Sequence, residues 1–187
     1  ICSGFSCQAT NLGLTRGDGC FDSARVTTDP MGTARVVDLP DHLARLARSA
    51  RAVAIAYPPD AQWAALVDAA LSRWSIPGEA TLKLVLTRGR EWRDSGPTAL
   101  ITLTHRGPAR TPAADEPAPT IRAVTLSSGR PARAFADAPW LLGGVKTLAY
   151  AVNVAALREA RARGAADAIF TSTDGYALEG TTSALLV

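Results

Sequence analysis

A chain of 187 residues, 47% apolar and 20% charged, is long enough to bury a sizeable core, as one domain or as two small ones. Its +3 net charge is arginine scattered along the chain, so no nucleic-acid or membrane-binding patch is expected, and no apolar run approaches the ~20 residues of a membrane span. Cys2, Cys7 and Cys20 are odd in number, crowd one end and lack zinc-type pairing, which suits reduced thiols in a cytoplasmic protein.

Residues 21–27 read as a strand, Asp29-Pro-Met-Gly32 as a turn, and residues 34–37 as the returning strand of a hairpin. Asp41 is expected to cap a helix in which Leu43, Leu46, Ala50 and Val53 recur at helical spacing, to about Ile55. Pro58-Pro59 breaks it, and a second amphipathic helix follows with Trp63, Leu66, Val67, Ala70, Leu71 and Trp74 on one face, ended by Pro77-Gly78. Residues 81–86 and 99–104 are strands joined through a polar loop, and residues 107–119 are a Pro/Ala-rich exposed loop. A strand at 120–126 completes an N-terminal α+β domain, residues 1–126. Residues 127–140 form the interdomain connection, and residues 141–187 begin a second domain. There a long helix is expected from Lys146 to about Arg163, with Leu148, Val152, Ala155, Ala156 and Ala160 facing inward and Gly164 as its cap. A strand at 168–171, a tight turn at Thr173-Asp-Gly175 and a returning strand at 176–178 follow. The chain starts at Ile1 without an initiator methionine or a signal-peptide pattern and stops at Val187 in a strand-like run, so residues are expected to be missing at one or both ends.

The chain holds only two lysines, Lys83 and Lys146, against eighteen arginines. A lysine kept after the Gly143-Gly144 bend invites a chemical reason, because lysine alone can form a Schiff base with an aldehyde cofactor. Its bland reading is a solvated lysine at a helix N-terminus, an unfavourable place for a cation. Glu179 could hold a pyridine nitrogen, although Glu-Gly after a strand is commonly just a turn. Arg45, expected in the first turn of its helix, could bind a phosphate with help from free backbone amides; taken alone it is a surface arginine. His42 and His105 are the only histidines. With no Gly-x-Ser-x-Gly elbow they make no nucleophile system, and with scattered carboxylates they make no metal site. Gly17-Asp-Gly19 lacks the longer fingerprint of a nucleotide loop.

Taken in order, Gly17-Asp-Gly-Cys-Phe21, Ala24-Arg-Val26, His42-Leu-Ala-Arg-Leu46, Lys146-Thr-Leu148, Asp174-Gly-Tyr176 and Glu179-Gly-Thr-Thr-Ser183 resemble the class IV aminotransferase family. These are the fold-type IV pyridoxal-phosphate enzymes: branched-chain aminotransferases, D-amino-acid aminotransferases and 4-amino-4-deoxychorismate lyases. Gly17-Asp-Gly-Cys-Phe21 and Ala24-Arg-Val26 look most like the lyases.

The resemblance implies a two-domain α+β fold of the D-amino-acid aminotransferase type, with the second domain cut short in this chain. It implies pyridoxal 5'-phosphate as cofactor, Lys146 as Schiff-base lysine and proton shuttle, Glu179 on the pyridine nitrogen, Arg45 on the phosphate and Tyr150 near the cofactor. Phe21 and Arg25 match positions that line the substrate pocket. Ala149 and Ala184 stand where many members carry asparagine. The implied activity is that of an aminodeoxychorismate lyase, with an amino-acid transaminase as the alternative and a degenerate binding subunit as a third reading. The small-molecule site would lie near the interface of a homodimer.

Overall fold

The structure is a computed structural model and describes residues 10–92, 96–108 and 120–186. Cys2, Cys7 and most of the Pro/Ala-rich loop lie outside the described residues. The chain divides into two compact units: one holds the described residues up to 108 together with Gly144–Ala149, the other those from 120 to 143 and from 150 onward.

The first unit is built on a four-stranded antiparallel sheet in the order β2-β1-β3-β4. The strands are β1 (Gly19–Thr28), β2 (Ala34–Val36), β3 (Gly78–Thr87) and β4 (Thr98–Gly107). A short helix, α1 (Leu12–Thr15), precedes them. β1 and β3 pair along their whole length, from Gly19 opposite Thr87 to Thr28 opposite Gly78. Because strand side chains alternate, Cys20, Asp22, Ala24 and Val26 share a face with Ala80, Leu82, Leu84 and Leu86, and all eight are buried. That face is covered by α2 (Leu39–Ala52), packed on β1 through Leu43, Leu46 and Ala50, and by α3 (Asp60–Leu71), packed on β4 and burying Trp63 and Val67. Fully burying a leucine is worth about 1.5–3 kcal/mol, so this layer dominates the unit.

Asp41 does not cap α2. The helix starts at Leu39 after Asp38, whose backbone is left-handed at φ 50°, with Pro40 in its first turn, where the missing N–H costs nothing. Arg45 therefore sits in the second turn, beyond the helix's free amides.

The second unit holds a three-stranded sheet in the order β5-β6-β7: β5 (Ala123–Ser127), β6 (Asp167–Thr171) and β7 (Ala177–Gly180). β5 pairs with β6 in parallel, so this strand belongs to the second unit rather than closing the first, and irregular residues 128–138 lie inside that unit. Parallel pairing needs a crossover, supplied by α4 (Ala151–Ala162). This helix begins five residues after Lys146, because Lys146 and Leu148 are committed to main-chain bonds with β1 and cannot be helical. On α4, Ala156 and Ala160 are buried while Val152 and Ala155 are exposed, so the inward stripe is narrower than the sequence implies. Gly164 ends the helix at φ 72°, with the Ala165 N–H closing onto the Ala160 carbonyl, as a C-terminal glycine cap does. The core here is Ala160, Ala165 and Ala168, with Val124 and Leu126 packed against it. β6 and β7 form the expected hairpin, whose turn is held by Ser172 accepting from the Tyr176 N–H through its hydroxyl. Glu179 lies within β7 rather than in a turn after it.

Candidate active site

β2 covers only residues 26–28 of β1 and leaves the start of that edge open. Residues 146–148 fill it: the Phe21 N–H donates to the Lys146 carbonyl at 2.9 Å, and the Leu148 N–H donates to the Gly19 carbonyl at 3.0 Å. Thr147 stands opposite Cys20 in antiparallel register. Alternation then sends the Lys146 and Leu148 side chains to the face of β1 that carries Phe21, away from α2. Gly19 makes the approach possible, since a Cβ there would lie 2.7 Å from both Leu148 Cδ1 and the Leu86 carbonyl oxygen. Gly143, just upstream, is pressed against the Phe135 ring where no Cβ fits, and Gly144 turns the chain at φ 74°. The Gly-Gly bend is thus a steric requirement. Asp18, in the same motif as Gly19, accepts from Arg88 at 2.6 Å, and Arg88 also donates to the Val53 carbonyl at 2.7 Å, pinning the turn to the end of α2.

Two ammonium groups converge on the Phe21 ring. Lys146 Nζ lies 4.7 Å from its centroid and Lys83 Nζ 4.5 Å. Lys83 stands opposite Ser23 on β3, which places it on the same sheet face. Arg25, on this face as well, is largely exposed and reaches Glu79 at 3.4 Å.

Next to Phe21, Asp22 points the other way, into the α2 layer, and is fully buried. Arg45 grips it with both ends of a fork, Nε to Oδ2 at 2.6 Å and Nη2 to Oδ1 at 2.7 Å, and His42 Nδ1 meets Oδ1 at 2.8 Å. Burial works against the carboxylate, but the hydrogen bonds from Arg45 and His42 together outweigh it and hold its pKa below the usual range. The same bonds hold the Arg45 proton more tightly. Arg45 thus meets β1 from the helix face, and Lys146 lies on the opposite face. Arg45 remains half-exposed, with Nη1 outside the fork. Cys20, beside this cluster, is a buried free thiol pushed up to about 11 by burial and then by the Asp22 charge.

The second unit positions Tyr150 and Glu179. Tyr150 is the residue preceding α4, and its hydroxyl pKa is raised by burial and then by the charge of Glu179, so the two sense each other. The turn after Glu179 is held from both sides. Thr181 Oγ1 and Ser183 Oγ donate to the Asp167 carboxylate, and Asn153 Nδ2 donates to the Thr181 carbonyl at 2.8 Å.

Of the six expected site residues, Phe21 and Lys146 come together in one unit and Tyr150 and Glu179 in the other, while Arg25 and Arg45 are engaged by Glu79 and Asp22. Sequence reasoning missed Asp22, Lys83 and Asp167. Asp22 had a signal: it is an acid flanked by Cys20 and Ala24 on what alternation makes a buried face, and such a charge needs a partner. Lys83 and Asp167 had none, because their roles arise from strand register. No helix among the described residues is long and apolar enough to cross a membrane.

The family model for amino-transferase class IV matches residues 19–187. A curated relative from Mycobacterium tuberculosis, named bifunctional aminodeoxychorismate lyase / D-amino acid transaminase, is 41% identical over 182 residues, covering 96% of this chain and 60% of that protein. A solved aminotransferase from M. tuberculosis, described as hypothetical and in a PLP-bound form, shares 39% identity with a TM-score of 0.79, over 93% of this chain and 59% of its own. A fold IV transaminase from Curtobacterium pusillum shares 40% identity with a TM-score of 0.79, over 96% of this chain and 61% of its own. The chain spans about three fifths of the length of these relatives. The matched segment takes in every described strand and parts of both units, and on it the chain belongs to the class IV aminotransferase family.

Proposed function

We propose that this protein is a pyridoxal-phosphate-dependent lyase that converts 4-amino-4-deoxychorismate to 4-aminobenzoate and pyruvate, a step of folate synthesis, in the cytoplasm. The observation that carries the reading is the placement of Lys146, paired along the open edge of β1 with its amine over Phe21. The name of the 41% identical relative supports the lyase assignment.

The residues present fit the cofactor in kind. Lys146 offers an amine, Arg45 a guanidinium nitrogen outside the Asp22 fork for the phosphate, and Glu179 a carboxylate for the pyridine nitrogen, with Tyr150 beside it. Bound pyridoxal phosphate supplies an electron sink next to the substrate's amine-bearing carbon. Lys146, through its unprotonated amine, would take the proton from that carbon. Glu179 would keep a proton on the ring nitrogen, and Arg45, braced by Asp22, would hold the phosphate. Phe21 and Arg25 bind and orient the substrate. In the lyase reaction the electron pair left on the substrate expels the enol-ether oxygen; the departing enolpyruvate takes up a proton to become pyruvate, and the ring becomes aromatic.

A transaminase acting on D- or branched-chain amino acids shares the first proton transfer and differs in where Lys146 returns the proton. It is the second reading, favoured by the other half of the relative's name and by the 40% identical fold IV transaminase. We place the active protein as a homodimer; the exposed Trp140 and Leu141 offer apolar surface for such an interface.

The test uses full-length protein loaded with pyridoxal phosphate and given enzymatically made aminodeoxychorismate. Equimolar 4-aminobenzoate and pyruvate, both lost in Lys146→Ala, are expected. Keto acid from a panel of L- and D-amino acids, without 4-aminobenzoate, would overturn the lyase in favour of the transaminase.

A further inference from the structure

Both lysines of a chain with eighteen arginines meet at one aromatic ring. They arrive from different directions: Lys146 from the segment on the open edge of β1, Lys83 from β3 on the other side of that strand. With their Nζ atoms 4.7 and 4.5 Å from the Phe21 centroid, the two nitrogens are no more than about 9 Å apart, close enough for two like charges to feel each other.

We infer that Lys83 is a positioning residue for Lys146: its ammonium, seated at the Phe21 ring, lowers the proton affinity of the Lys146 amine and so keeps that amine able to attack an aldehyde and accept a proton. The inference rests on the reading of Lys146 as the reactive amine of the site.

The two lysines are not equivalent. Lys83 is exposed and Lys146 is half-buried, so the Lys146 amine is the more desolvated of the two. An ammonium over a phenyl ring is stabilised, but a second ammonium at the same ring meets the charge of the first. Lysine is required at 146 because a guanidinium holds its proton at any working pH. At 83 any fixed cation would serve.

Several other charged groups of this unit are taken up by partners of their own. On the same sheet face, Glu79 is held by Arg25 at 3.4 Å, and Arg106, from β4, donates to Thr81. Asp22 is turned to the opposite face and is taken up by Arg45 and His42. The segment Gly144–Ala149 carries no charge besides Lys146. Among the described residues no carboxylate pairs with Lys83. At about 9 Å or less the two like charges repel, so the fixed charge at 83 makes the Lys146 ammonium easier to deprotonate.

The test is the pH dependence of Lys146 acylation in full-length, cofactor-free protein, read peptide by peptide in a mass spectrometer. Lys83→Met is expected to raise the Lys146 midpoint, and Lys83→Arg to keep it near wild type. An unchanged midpoint in Lys83→Met, or an equal rise in Lys83→Arg, overturns the inference. In protein loaded with pyridoxal phosphate, the pH at which the visible band of the lysine-bound cofactor changes is expected to move in the same direction. If no such band forms, the cofactor reading fails, while the acylation titration still decides the role of Lys83.

Discussion

Asp22 puts a carboxylate between Cys20 and Ala24 on the buried face of β1, and everything around it follows from that charge. Arg45 and His42 answer it from successive turns of α2, so Asp22 both ties the helix to the strand and sets the guanidinium that the phosphate is proposed to meet. Asp22→Ala is expected to cost ~3 kcal/mol, the low end for breaking a buried pair, because Arg45 can turn to solvent. Its pKa is depressed on folding. Its contribution is therefore fully present above the unfolded carboxylate value near ~4 and is lost as pH falls through the lower folded value. Urea melts from neutral to acid pH check this: the gap between wild type and Asp22→Ala should shrink only at the acid end. Cys20 is the opposite case, a thiol that burial pushes up to about 11. At neutral pH it is expected to resist alkylation in the native protein and to react once unfolded, read by peptide-resolved mass spectrometry.

The open edge of β1 is the feature of an element on which the site depends. β2 pairs with only three residues, and the space left along β1 is taken by a segment that would otherwise have continued into α4. Two main-chain bonds hold Lys146 there, and Gly19 leaves room for them. Gly19→Ala places a methyl against the Leu86 carbonyl and the Leu148 side chain. Hydrogen exchange at the Phe21 and Leu148 amides is expected to quicken by about tenfold or more, the equivalent of ~1.4 kcal/mol of local opening. Unchanged exchange at both amides would show that the edge pairing tolerates a Cβ. β3 is the counterpart on the buried side: Leu84→Ala removes a fully buried leucine opposite Asp22 and is expected to cost ~2–5 kcal/mol in a denaturant melt.

The two units differ in what they bury. The first fills its core with leucines from β3 and α2 and with Trp63, whereas the core cluster of the second is three alanines with Val124 and Leu126 alongside. Burial scales with apolar area, so the second unit is expected to be the less stable on its own. Amides of β5, β6 and β7 should exchange faster than those of β1 and β3 in this chain. In full-length protein the difference should narrow if residues beyond Val187 add to that core; equal protection in the present chain would contradict the expectation.

Much was legible along the chain because it is local. The strands at 21–27, 81–86 and 99–104 and the helix with Trp63 and Val67 announce themselves by periodicity and by proline and glycine, and the ordered motifs around Lys146 and Glu179 place the chain in its family. What the tertiary structure decided depends on pairing between residues far apart in sequence. Helical spacing after Lys146 was genuine, yet the segment just after it bonds to β1, and a backbone donor cannot serve a helix and a strand edge at once. Residues 120–126 looked like a fifth strand of the first unit, but a strand carries no label for its sheet, and the parallel partner, β6, lies some forty residues on. The neighbours of Asp22 and Lys83 were hidden for the same reason. A charge can be read from one residue, whereas the group that answers it is set by register and by the face on which the chain returns.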